Sequence, residues 1–211
     1  MNKYKIISLV LALSLLGALA RLVYVSKTVE VEPSESKASV VYKNILSRKS
    51  VRSFTTQTVS REQIDTLLHA AMAAPTGRYL RPWKFIVVDD RVMMDSLAKN
   101  LPYAKMLSSA SVAILVCGDQ RVMDSEGAAS VNWEYDCSAA TENLLLVAEA
   151  MGLGAVWTGV HPYAERVRTV MSIFNLPDHI IPLNLIPIGY PKGNPQPKEK
   201  YDAHNVHFNG W

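Results

Sequence analysis

Two stretches of this chain carry residue types that hold anions and uncover backbone donors. Arg48-Lys-Ser-Val-Arg52 sets three cations and a hydroxyl within five residues. Guanidinium forks and an O–H are the donors that an oxyanion such as phosphate takes, although an ordinary exposed turn has the same composition. The second stretch is the apolar, helix-patterned block at 136–151, which runs into Gly152-Leu-Gly-Ala-Val-Trp-Thr-Gly159. Small residues in the first two turns of that block let a backbone or a flat ring lie close, and the glycines expose main-chain N–H groups. A planar cofactor suits such a surface. Gly152 also reads as a helix C-cap, and Gly152-x-Gly154 follows a helix instead of opening one, so it is not a dinucleotide fingerprint. A second basic cluster, Lys198-Glu-Lys200, meets the first around one phosphate only if the fold joins them.

These residues need elements to position them. Ser60-Arg-Glu-Gln63 has the form of a capping box, followed by Ile64, Leu67, Leu68, Ala71 and Met72 at helical spacing until Pro75. Residues 85–88 and 112–117 read as buried strands, and 91–99 and 136–151 as helices. A strand near 155–158 precedes a helix carrying Val167, Val170, Met171 and Phe174 on one face. The apolar run 181–188 contains Pro182 and Pro187, which confine it to an edge or to interrupted pairing. Residues 75–83 form a long turn-rich link, and the chain after Gly189 is an extended tail held by contacts.

With 211 residues, 49% of them hydrophobic, the chain can bury one good core. Lys3 and Lys5 precede an uncharged apolar run from Ile6 to Ala20, the form of an export signal. As a helix it spans about 22 Å, short of the roughly 30 Å hydrocarbon core. Leu22-Val-Tyr-Val25 prolongs the run past Arg21, so an uncleaved anchor stands beside a cleaved signal. Residues 1–25 are therefore read as signal peptide or membrane anchor, 26–39 as a polar tether, and the folded part as lying outside the cytoplasm. Without Lys3 and Lys5, 20 basic residues face 19 acids, which argues against a broad nucleic-acid-binding surface. Cys117 and Cys137 read as small buried residues or as a disulfide, which spacing does not settle. The five histidines are scattered, giving weak support for a metal, and no G-x-S-x-G elbow suggests a serine hydrolase.

Taken together, Arg48-Lys-Ser-Val-Arg-Ser-Phe54, Ala-Pro-Thr76 with Arg-Pro-Trp-Lys-Phe85, Ala139-Ala-Thr-Glu-Asn-Leu-Leu-Leu146, Gly152 to Gly159 and Ile188-Gly-Tyr-Pro191 resemble, in that order, the FMN-dependent nitroreductase family. Pro197 to Asp202 and Val206 to Trp211 resemble the family's ending, and the likeness covers residues 40–211. It implies an α+β fold, a mainly antiparallel sheet flanked by helices in α/β/α layers, assembled as a homodimer with FMN at the subunit interface. It implies that Arg48 and Ser50, with Lys198 and Lys200, hold the FMN phosphate, and that Lys49 is among the cofactor-binding residues. Arg52 would lie by the pyrimidine edge, where negative charge accumulates on reduction. Pro75, Thr76, Gly77 and Tyr79 would belong to the flavin loop, and the backbone of Thr158 and Gly159 would face flavin N5. The family loop has Asn and Gln where this chain has Tyr79 and Arg81. The implied activity is a ping-pong oxidoreductase: NAD(P)H gives hydride, and a small electron-poor acceptor such as a nitroaromatic or quinone is reduced, with no essential side-chain acid or base. The alternatives are an exported flavin-binding protein without turnover, or one reduced by a membrane electron donor.

Overall fold

The computed structural model describes residues 2–28, 35–128 and 130–211. The chain divides into an N-terminal unit ending at Val40 and a domain from Val41 to Trp211. Helix α1 (Lys3–Thr28) contains the apolar run, and Leu11, Leu13, Leu15, Leu16 and Leu19 are exposed around more than half of its circumference. Among the described residues no helix is long and apolar enough to cross a membrane, so the anchor expectation finds no support there. Residues 29–34 of the expected tether lie outside the described residues.

Helix α2 (Lys37–Ser47) leads into the domain, where Asn44 Nδ2 donates to the Leu146 carbonyl at 2.9 Å. Helix α3 (Arg61–Met72) starts at the expected capping box: Ser60 Oγ accepts from Gln63 N, and the Gln63 side chain accepts from Ser60 N. Strand β1 (Trp83–Val88), helix α4 (Arg91–Asn100) and strand β2 (Val112–Asp119) follow, every residue of β2 being buried. Helix α5 (Trp133–Ala150) begins three residues before the expected start at Asp136. The reason is tertiary: Trp133 lies flat on bare Gly118, where an added Cβ would come within 2.2 Å of the indole. The strand expected near 155–158 is two short pieces, β3 (Gly154–Ala155) and β4 (Thr158–Gly159). Helix α6 (Ala164–Phe174), ended by Asn175 at φ 51°, and strand β5 (Ile180–Gly189) complete the domain.

The expected antiparallel sheet is observed: β1 pairs β2, β2 pairs β5, and β3 and β4 share the other edge of β5, all antiparallel. Strand β5 is thus central, which corrects the edge-strand expectation while bearing out interrupted pairing. Ser111 N–H donates to the Ile188 carbonyl on the β2 side, so the backbone of Pro187 is turned to the other edge. There pairing lapses between Ala155, opposite Ile188, and Thr158, opposite Leu185, and the missing proline N–H deprives no partner. At Pro182 the β2–β5 register shifts, a bulge between Val116 and Cys117.

Alternation along β2 sorts two cores. Val112, Ile114 and Val116 face α3 and α5, while Ala113, Leu115 and Cys117 face α4 and α6. This resolves the cysteines. Cys137 belongs to the first core and Cys117 to the second, so their side chains lie on opposite faces of the sheet; Cys137 Sγ reaches only the Cys117 carbonyl, at 3.5 Å. Both are free thiols. Burial pushes each up to about 12, with the neighbouring Cys117 and Asp136 adding to the rise at Cys137. Raised values mean that both thiols favour folding fully below their ordinary range, and that this contribution is lost as pH rises toward 12. Iodoacetamide at pH 8 should therefore label neither cysteine in the native protein and both in denaturant, without prior reduction, as read by intact mass.

Candidate functional site

The chain leaving α2 is fastened to α5 by charge. Arg48 Nε lies 3.1 Å from Glu142 and Lys49 Nζ 2.6 Å from Glu149. Beyond them Ser50 bridges to Ala155, Val51 N–H donates to the Ala155 carbonyl at 3.0 Å, and buried Val51 packs on Gly154 so closely that a Cβ there would be 2.7 Å away. Arg52 is exposed and, among the described residues, has no ion pair. Of the four residues expected near an oxyanion or ring edge here, Arg48 and Lys49 are thus already neutralised, while the Ser50 hydroxyl and the Arg52 cation remain to meet a ligand.

Thr158 and Gly159 lie further along the same edge of β5. The partners of Ala155 and Thr158 on that strand, Ile188 and Leu185, are three residues apart, about 10 Å at ~3.3 Å per residue. Thr158 is buried and its Oγ1 has no hydrogen-bond partner. A buried hydroxyl left so costs free energy unless something satisfies it. Gly159 is open, since an added Cβ would meet nothing nearer than 3.9 Å. Ser50 and Arg52 at one end and an unsatisfied hydroxyl beside bare backbone at the other fit a ligand with an anionic tail and a polar-edged ring. The residues present therefore fit FMN, whose phosphate Ser50 would hold and whose ring Thr158 and Gly159 would face.

The loop at 75–82 belongs to another part of the sheet. The Gly77 N–H donates to Asp136 Oδ1 at 2.9 Å, tying the loop to the start of α5, and three of the four following residues, Arg78, Tyr79 and Arg81, have φ of 51°, 62° and 51°. Left-handed backbone is uncommon for such residues and is held here by contacts: Arg78 pairs with Asp124, and the Arg81 guanidinium stacks 4.2 Å above the Tyr79 ring. Thr76 Oγ1 and Asp136 Oδ2 are buried without hydrogen-bond partners. This loop enters β1, whereas Thr158 and Gly159 line the opposite edge, with β2 and β5 between, three strand spacings or about 14 Å apart. No hydrogen bond or ion pair among the described residues joins Pro75, Thr76, Gly77 or Tyr79 to Thr158 or Gly159. Lys198 and Lys200 lie exposed in the tail, likewise unjoined to Arg48.

Glu142, Glu149 and Asp136 were not singled out from the sequence. The glutamates stand seven residues apart on α5, one face of a helix, and that spacing opposite adjacent Arg48 and Lys49 is the signal that could have found them. The two pairs differ in worth. The Lys49–Glu149 side chains are 21% and 13% exposed, whereas Glu142 is 48% exposed. Glu149→Ala should cost about 1–3 kcal/mol by stranding a half-buried ammonium, and Glu142→Ala less than about 1 kcal/mol; urea midpoints of the two variants check the order.

The nitroreductase family model matches residues 45–101 and 93–190. A protein of Methanothermobacter thermautotrophicus named an NADH dehydrogenase/NAD(P)H nitroreductase is 39% identical over 188 residues, 89% of this chain and 96% of that one. The crystal structure of a Parabacteroides distasonis protein of the same name superposes with a TM-score of 0.77 at 50% identity, covering 82% of this chain and 99% of that chain. A Desulfovibrio desulfuricans nitroreductase crystallised in complex with FMN gives a TM-score of 0.69 at 28% identity over 84% of this chain and 99% of that one. The shared fold, the matched span and these identities together make this chain a member of the nitroreductase family.

Proposed function

We propose that the domain binds FMN along the β5 edge and works as an NAD(P)H-dependent oxidoreductase on electron-poor small molecules, nitroaromatics or quinones. The observation that carries this reading is the pairing of the Ser50–Ala155 bridge with the unsatisfied Thr158 hydroxyl, about 10 Å further along one strand edge. The relatives named for NAD(P)H nitroreductase activity and the neighbour crystallised with FMN support it. When bound, FMN would supply the hydride-transfer chemistry between NAD(P)H and the acceptor. For a nitro group the balance is ArNO2 + NAD(P)H + H+ giving ArNO + NAD(P)+ + H2O. The chain's own residues bind and orient: Ser50 donates to the phosphate, Thr158 and Gly159 present the backbone and hydroxyl at the ring, and Arg52 supplies positive charge where charge develops.

The homodimer belongs to the same proposal. One chain holds the 75–82 loop and the β4 edge apart, and its tail leaves Tyr201, Phe208 and Trp211 exposed, so a second copy supplies what one lacks. We place the domain outside the cytoplasm on the strength of the export-signal form of the N-terminal segment, Lys3 and Lys5 followed by the uncharged apolar run from Ile6 to Ala20. That location favours a second reading in which a membrane quinol or partner protein replaces NAD(P)H, or in which the flavin is bound without turnover.

Purified protein titrated with FMN should bind it at micromolar concentration. Ser50→Ala and Thr158→Val should each weaken binding roughly fivefold, the effect of losing one hydrogen bond of about 1 kcal/mol. Absence of FMN binding would overturn the proposal. Under nitrogen, NADPH should bleach the flavin band of the wild-type holoprotein; bleaching by a quinol alone selects the membrane donor, and no bleaching selects the binding protein.

A further inference from the structure

Beside Gly159 stands a cluster that the flavin reading leaves unused. Arg166 on α6 donates to the Gly159 carbonyl at 3.0 Å, and its guanidinium carbon lies 3.8 Å from the Tyr163 ring centroid and 5.7 Å from that of Tyr103. Among the described residues it has no carboxylate partner, whereas Arg168, on the same helix, pairs with Glu165. A partly buried guanidinium that has no carboxylate partner retains in-plane N–H donors for a ligand anion.

The surroundings specify the ligand further. A Cβ on Gly159 would lie 3.9 Å from Trp157 Nε1 and 4.0 Å from Tyr163 Cε2, so an indole and a phenol ring flank the bare glycine. Trp157, Tyr163 and Tyr103 are 39%, 54% and 79% exposed, and the Trp157 N–H has no hydrogen-bond partner among the described residues. Exposed aromatic faces receive flat rings, and a guanidinium stacked on an aromatic keeps its in-plane N–H groups for a carboxylate.

With Thr158–Gly159 read as the ring end of the FMN site, we propose that Trp157, Tyr163 and Arg166 form the acceptor-recognition wall and select planar aromatic acceptors that carry a carboxylate. The contact with Gly159 sets the cation beside the reacting edge, within reach of a group borne directly on the ring being reduced. The phosphates of NAD(P)H lie beyond a ribose, several bonds from the nicotinamide, and match that position poorly.

The test uses the full chain loaded with FMN and two acceptors of like shape, 4-nitrobenzoate and neutral 4-nitrobenzamide. The wild type should favour the carboxylate in kcat/KM, and Arg166→Gln, which keeps a donor for the Gly159 carbonyl, should cut that preference about tenfold, chiefly through KM. Equal losses with both acceptors would make Arg166 a scaffold residue and overturn the proposal. So would a rise confined to the KM for NADPH. Benzoate binding, read from the flavin spectrum without turnover, gives a second measurement and should weaken about tenfold in the same variant. Benzoate bound through Arg166 in a holoprotein that does not oxidise NAD(P)H would sink the proposed reaction and leave this inference standing. Turnover without any carboxylate preference or benzoate binding would do the reverse.

Discussion

Strand β5 is the constraint on which the arrangement depends, because it is hydrogen-bonded along both edges. On one side β2 runs beside it for its whole buried length; on the other, two short pieces dock in sequence, β3 carrying Ser50 through Ala155 and β4 carrying Thr158 and Gly159. The distance between the two ends of the candidate ligand groove is thus set by strand rise, which is stiff, and not by loop conformation. The prolines of β5 fall at the lapse between β3 and β4 and at the bulge opposite Cys117, so the strand tolerates them and its interrupted edge leaves backbone uncovered for a ligand.

A buried polar link holds the covering helix to this strand. Asn184 is wholly buried in β5 and donates to Thr141 Oγ1 at 3.1 Å, and Thr141 donates to the Cys137 carbonyl at 2.8 Å. Hydrogen-bonded polar groups in a dry core fix register more sharply than apolar contacts, which slide. The ends of α5 are then used differently. Its first turn accepts from Gly77 and seats Trp133 on Gly118, while its later turns carry Glu142 and Glu149 to meet Arg48 and Lys49. One helix therefore positions both the 75–82 loop and the segment that brings Ser50 to β3.

The charges divide by what they do. Arg48 and Lys49 spend theirs on α5, so they fasten the chain; Arg52 and Arg166 have no carboxylate partner among the described residues. Residue type could not make that distinction, because all four are cations in similar company. The loop at 76–81 poses the same difficulty. Tyr79 and Arg81 stand where the family has two amides, and only in the folded chain do they stack on each other in left-handed backbone, braced by Arg78 on Asp124.

From the order of residues alone came the helices α3, α4 and α6 and the strands β1 and β2, since local capping and hydrophobic period act over a few residues and are written directly in the chain. The α+β class came with the resemblance of the ordered motifs to the family, and β1, expected to be buried, has only Trp83 and Val88 buried. The central place of β5, the split of one expected strand into β3 and β4, the opposite faces taken by Cys117 and Cys137, and the early start of α5 over Gly118 were decided by tertiary structure. Each depends on which backbone edge or bare glycine a segment meets after long-range pairing, and no window of local sequence contains that partner. The same limit hid Glu142 and Glu149 behind a helix face, and the unpaired Arg166 beside Gly159, until the sheet brought their neighbours to them.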